Sequence, residues 1–211
     1  DFVFRAGQYV EIGLKNPLYT DEKKSHREFS IASSPNDKNI LMVATRMDSP
    51  ERPISAFKKT MKEMPLGTKF KVEGPYGSFT LHENTAKNAI FIAGGIGITP
   101  VRSMVKYATE EKLPHKIILI YSNRNSGSAA FLEDLQNWEK INPNFKLRAR
   151  MTDNDGYIDA EYIKECAGDG SRGAIFYVVG PPAMVSAMTK ILEEGVLVSK
   201  DDIRFEEFTG Y

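Results

Sequence analysis

From residue 86 onward the chain alternates apolar, β-rich runs with amphipathic helical patterns, and this alternation constrains its fold more than any other feature. The runs are "AIFIAGG", "KIILIYS", "FKLRARM" and "AIFYVVG", with "IRFEEF" last. Between them lie helical stripes: Val101, Met104, Val105 and Ala108; then Phe131, Leu135 and Trp138; then Met184, Ala187, Met188 and Ile191. Runs that are apolar at successive positions need cover on both faces, so the pattern predicts a parallel, doubly wound sheet of roughly five strands. The Met and Trp stripes read as core packing.

Up to about residue 85 the rhythm differs. Short strand signals "QYVEIGL", "REFSIAS", "ILMVATRM" and "TKFKVEGPYGSFTL" are separated by turn-rich segments, with one short helix at "PISAFKKTMKEM" carrying Ile54, Phe57 and Met61 on one stripe. These signals predict a small antiparallel barrel or sandwich. The expected division is therefore a β-barrel over residues 1–85 and an α/β unit over 86–211. The opening "DFVFRAGQYVEIGL" reads as a strand entering mid-fold, so residues upstream are expected.

Lys+Arg and Asp+Glu both number 28 among 211 residues, a balance that favours neither nucleic acid nor an anionic membrane surface. No apolar run approaches the length of a membrane span. Cys166 is the only cysteine, which excludes an internal disulfide and a Cys-ligated cluster built from this chain alone. A reducing cytoplasm fits this usage, and Cys166, in "AEYIKECAG", is expected to be a buried small hydrophobe. His26, His82 and His115 are scattered without ligand spacing, so no metal is expected.

"GGIGITP" joins the first parallel strand to its helix, where helix-terminal N–H groups make an anion site. Gly95 and Gly97 permit close approach, Thr99 suits the N-cap, and Pro100 suits the first helical position. "VVGPPAM" repeats the arrangement with Gly180 and Pro181, although an ordinary strand–helix turn would use similar residues. Two such loops, on the first and fourth parallel strands, would flank a topological switch point, where ligands bind. At the end of the next strand "YSNRN" places Ser122 and Arg124 where an NAD site would often carry an acidic side chain. A hydroxyl and a fixed cation suit a 2′-phosphate, so NADPH is the expected coenzyme; NADH, with a solvated Arg124, is the alternative.

In "HREFSIASSP" alternation puts Arg27 and Phe29 on one face and Ser30 on the other. Such a strand could bind pyrophosphate, stack on a ring and hydrogen-bond it. With "AGQYV", "GPYGSF", "AGGIGITP", "YSNRN", "VVGPPAM" and the terminal "FEEFTGY" in order, the chain resembles the ferredoxin–NADP reductase family of flavin oxidoreductases.

The resemblance implies an FAD enzyme that accepts a hydride from NAD(P)H and passes electrons to an acceptor such as a ferredoxin, flavodoxin or haem protein. It implies that Arg27 and Ser55 face the FAD pyrophosphate, Phe29 lies along the isoalloxazine, and Ser30 hydrogen-bonds near its N5. Gly95, Gly97, Thr99 and Pro100 would frame the coenzyme, with Gly180, Pro181 and Met184 lining the nicotinamide side. Glu206 would work with Ser30, and Phe208 would cover the flavin; Tyr211 is the competing candidate for that cover. Three departures stand out: Phe29 replaces the usual Tyr, Val179 replaces a frequent Cys, and the family's earlier barrel strands do not precede "AGQY". These leave a rival reading, a non-catalytic module or fragment with no stably bound flavin.

Overall fold

The computed structural model of the chain describes residues 2–21, 25–47 and 54–208. In its first half, β1 (Tyr9–Leu14) pairs antiparallel with β2 (His26–Ser30) and β3 (Phe70–Tyr76), in the order β2-β1-β3. Alternation along β1 turns Val10, Ile12 and Leu14 into one buried layer with Phe29 and Ile31. Helix α1 (Ala56–Glu63) closes that layer with Phe57, which is 2% exposed. The "ILMVATRM" run is not a regular strand, contributing only an isolated Ile31–Val43 bridge and the Ala32 N–H to Met42 carbonyl bond. Its ladder is interrupted because the Met42 N–H donates to the Ser33 hydroxyl (3.1 Å).

The second half is the parallel sheet. Its strands are β4 (Ala89–Gly94), β5 (Ile117–Asn123), β6 (Phe145–Met151), β7 (Ile175–Gly180) and β8 (Ile203–Glu207), in the order β6-β5-β4-β7-β8 with every neighbouring pair parallel. Every residue of β4 and β7 is buried, as their unbroken apolar runs require. Helices α2 (Ile98–Glu110) and α3 (Leu132–Ile141) cover one face through Val101, Met104, Val105 and Leu135. The short α4 (Thr152–Asp155) follows β6, and α5 (Ala160–Ala167) and α6 (Pro182–Lys190) cover the other face. In α6 the buried stripe is Val185 and Met188, continued by Leu192, while Ala187 is exposed. Met184, Met188 and Ile191 of the expected stripe pack on this core, and only Ala187 does not. None of the helices among the described residues is long and apolar enough to cross a membrane.

The strand order reverses between β4 and β7, so the Gly94–Gly97 and Gly180–Pro181 loops lie side by side at the switch point. A single face of α2 joins this sheet to the first one. Arg102 donates to the Ala32 carbonyl (2.7 Å), Ser103 to the Ser33 carbonyl (2.6 Å), and Lys106 pairs with Asp37. Glu110 accepts from the Ser34 hydroxyl at 2.6 Å. Residues 32–37 follow directly on β2, so this grip fixes β2 relative to the switch point.

Gly97 is where the α2 entrance meets β7: a Cβ built there would lie 2.7 Å from the Val179 carbonyl oxygen and 2.9 Å from the Gly180 Cα. Backbone on both sides cannot yield as a side chain would. Gly97→Ala should therefore destabilise the chain by about 1–3 kcal/mol in urea unfolding, and an unchanged midpoint would contradict this packing.

Candidate active site

A cleft of about 540 Å³ opens between β2 and the carboxyl ends of the parallel strands, within the roughly 300–1,000 Å³ usual for ligand sites. Arg27, Phe29, Ser30, Ser55, Thr99, Glu206 and Phe208 all line it. Seven residues from four distant segments of the sequence thus meet in one place.

One end of the cleft is cationic. Ser55 caps α1 by accepting from the Lys58 N–H (3.3 Å), so the exposed N–H groups of that helix face the same space. Arg27 is held by both Asp21 carboxylate oxygens (2.9 and 3.0 Å) and lies over the Phe57 ring at 5.2 Å. Burial, and then the nearby Arg46 charge, lower the Lys58 ammonium pKa. Arg46 also reaches the glycine loop, its Nη2 lying 3.3 Å from where a Gly95 Cβ would be. Sequence reasoning misses both Lys58 and Arg46. Lys58 has a local signal, three residues after a capping serine, whereas Arg46 arrives from the other sheet and has none.

Arg27 and Phe29 do share a face, both packing on Phe57, and Ser30 takes the other. Phe29 is 9% exposed, its ring 5.8 Å from that of Phe57, so most of it belongs to the core and little faces the cleft.

At the far end Ser30 Oγ donates to Glu206 Oε1 at 3.1 Å. Glu206 sits on β8 opposite Val179 of β7. Burial pushes its carboxyl up to about 7; the Ser30 bond opposes that shift, and the Glu28 charge adds to it. Phe208 follows on the same side, anchored by its N–H to the Gly180 carbonyl (2.9 Å). Tyr211 lies outside the described residues.

The glycine loop departs from expectation in one respect. Gly95, at φ +53°, opens a 3-10 turn through Gly97, so α2 already begins at Ile98. Thr99 is thus the second helical residue rather than the cap, and its hydroxyl donates back to the Ile96 carbonyl (3.0 Å). Pro100 is the third, still within the turn whose N–H groups lack helical partners. Across the switch point Pro181 precedes α6, and the Met184 thioether occupies the space beside Gly94 and Gly180. Ser122 pairs in register with Gly94, whereas Arg124 is exposed, its carbonyl accepting from the Asp153 N–H (3.0 Å), and neither is among the residues lining the cleft.

Cys166 is half-buried, not buried, and burial raises its thiol pKa. The histidines are scattered only in sequence: the His82 and His115 rings are 5.1 Å apart, and His26 stands near Glu11 and Glu73 with ligand atoms within 4.8 Å of one another.

Residues 91–190 match the family described as the oxidoreductase NAD-binding domain. A flavohemoprotein of Oceanobacillus iheyensis is 25% identical over 214 residues, covering 97% of this chain and 51% of that protein. Reductase component 2 of the terephthalate 1,2-dioxygenase of a Comamonas species is 26% identical over 205 residues, covering 94% and 57%. The chain thus spans little more than half the length of these curated relatives. Among solved structures, the ferredoxin–NADP+ reductase of Plasmodium falciparum superposes with a TM-score of 0.77 at 22% identity, over 98% of this chain and 84% of that one.

The Ser30–Glu206 contact predicts a titration. The Glu206 carboxyl should titrate near pH 7 by NMR, and Ser30→Ala should raise its midpoint, because the lost bond favoured the carboxylate. Folded Glu206 binds its proton more tightly than unfolded Glu206, so the stability it adds is present at low pH and lost as pH rises through about 7. A midpoint near 4.5, the ordinary value, would contradict the burial argument.

Proposed function

We propose that this chain is a ferredoxin–NADP reductase-like oxidoreductase that takes a hydride from NADPH onto FAD and delivers electrons to a separate acceptor. The observation that carries the reading is the Ser30–Glu206 contact, which joins the β2 wall of the cleft to the strand beside the glycine loops. We assign residues 1–85 to FAD and 86–211 to the coenzyme.

The residues in the cleft fit FAD by their chemistry. Arg27, Ser55, Lys58 and the α1 N-terminus offer donors and positive charge for a pyrophosphate, and Ser30 offers a hydroxyl for a ring nitrogen. When bound, FAD would supply hydride acceptance and one-electron delivery. The protein's part is to orient, to exclude water and to manage a proton. Gly95 and Gly97 let the coenzyme approach the backbone at the switch point, and Met184 gives that side an apolar wall. Phe208, on the same strand face as Glu206, covers the reacting end and yields to the nicotinamide. Above about pH 7 the Glu206 carboxylate can accept a proton through Ser30 Oγ; below it the carboxyl already holds one. Ser122 and Arg124 select NADPH over NADH through its 2′-phosphate. The acceptor is of the ferredoxin, flavodoxin or haem class.

The test is direct. Purified chain mixed with FAD should retain a yellow flavin band that NADPH bleaches under anaerobic conditions; colourless protein that cannot be reconstituted would overturn the proposal. Arg124→Ala should weaken NADPH by about 2–3 kcal/mol while sparing NADH. Equal losses for the two coenzymes would remove Arg124 from that role.

A further inference from the structure

His82 lies in the segment that joins the two sheets and is 7% exposed, away from the cleft. Its Nε2 is 3.0 Å from the Lys87 carbonyl, an acceptor only, so Nε2 carries the hydrogen. Nδ1 of the neutral ring is then an acceptor, and the Tyr177 hydroxyl, 2.9 Å away, donates to it. The same phenol oxygen accepts from the His82 backbone N–H (2.9 Å) and from Arg204 Nη1 (3.3 Å), which also donates to the Thr80 carbonyl (3.2 Å). A phenol has one hydrogen and two lone pairs, and all three are used.

Arg204 is the β8 residue opposite Tyr177, two positions before Glu206 and four before Phe208. We infer that neutral His82, Tyr177 and Arg204 form a positioning unit that locks β8, and with it Glu206 and Phe208, to the segment between the sheets. Its bearing on catalysis rests on the role proposed for those two residues.

A proton on Nδ1 would aim a third donor at the Tyr177 oxygen and leave the phenol hydrogen without an acceptor. The surroundings resist that charge. From β8 comes the Arg204 guanidinium, and from the turn before β5 comes His115, whose Nε2 donates to the His82 carbonyl (2.7 Å). Lys87 is paired with Asp202 (2.7 Å), and burial keeps the Tyr177 phenol protonated. Burial, then the His115 and Arg204 charges, lower the His82 pKa against the opposing carbonyl bond of Lys87. The lock is therefore complete at the ordinary histidine value of 6.5 and is lost as pH falls through the lowered His82 value beneath it.

Hydrogen exchange at the β8 amides, corrected for intrinsic rates, tests this without FAD or coenzyme. In the unaltered chain their protection should fall by about tenfold between about pH 7.5 and a pH below the lowered His82 value, the worth of one net hydrogen bond. His82→Asn keeps an acceptor for Tyr177 but cannot titrate, so it should retain protection at both pH values. Tyr177→Phe keeps the ring packed on Phe91 and should show low protection at both. The same pH-dependent loss in His82→Asn, or NMR evidence that His82 carries its hydrogen on Nδ1 at neutral pH, would overturn the inference. These readouts stand or fall independently of whether the chain reduces a flavin.

Discussion

Arg102 is 7% exposed, yet its charge is fully engaged: Asp134 accepts from it at 2.7 Å, the Ala32 carbonyl accepts at 2.7 Å, and the Phe131 and Trp138 rings flank it at 4.6 and 5.3 Å. A buried cation tolerates few other positions, because moving any partner leaves it unpaired. The same α2 face that carries it also carries Ser103, Lys106 and Glu110, and all four act on residues 32–37. The helix that opens from the glycine loop thus sets the position of β2. Without that grip Ser30 and Glu206, 176 residues apart, would have no reason to meet.

Their meeting explains the electrostatics of the cleft. The end with Lys58 and the Asp21-paired Arg27 offers donors for a ligand's phosphates, while at the other end burial, reinforced by the Glu28 charge, pushes the Glu206 carboxyl up to about 7. Two ends of opposite character within one cleft orient a long anionic ligand, because reversing it would set phosphates against Glu206 and Glu28. The buried His82–Tyr177–Arg204 bonds act on β8 from behind, so the strand carrying Glu206 is constrained from both sides.

The parallel sheet is legible in the sequence because β4, β5 and β7 are buried on both faces and their composition has little freedom. Ser30, Glu206 and Phe208 are reached through local alternation plus a family resemblance, and the structure brings all three to the cleft. Three things are not local. The α2 entrance shifts because Gly95 and Gly97 accept helical turns that the cap rule assigns to later residues. The α6 stripe holds at Met184, Met188 and Ile191 but not at Ala187, a small residue that fits either face. Arg46 and the Tyr177–His82 bonds depend on which distant segments meet, and no window of sequence contains that information.

The most direct measurement is the pH profile of NADPH-driven turnover with FAD bound and a one-electron acceptor such as ferricyanide, for the unaltered chain and for Glu206→Gln. If Ser30 and Glu206 manage a proton at the reacting end, turnover of the unaltered chain should rise as pH passes through about 7, and that inflection should vanish in Glu206→Gln at unchanged FAD affinity. The same inflection in both proteins would contradict the account.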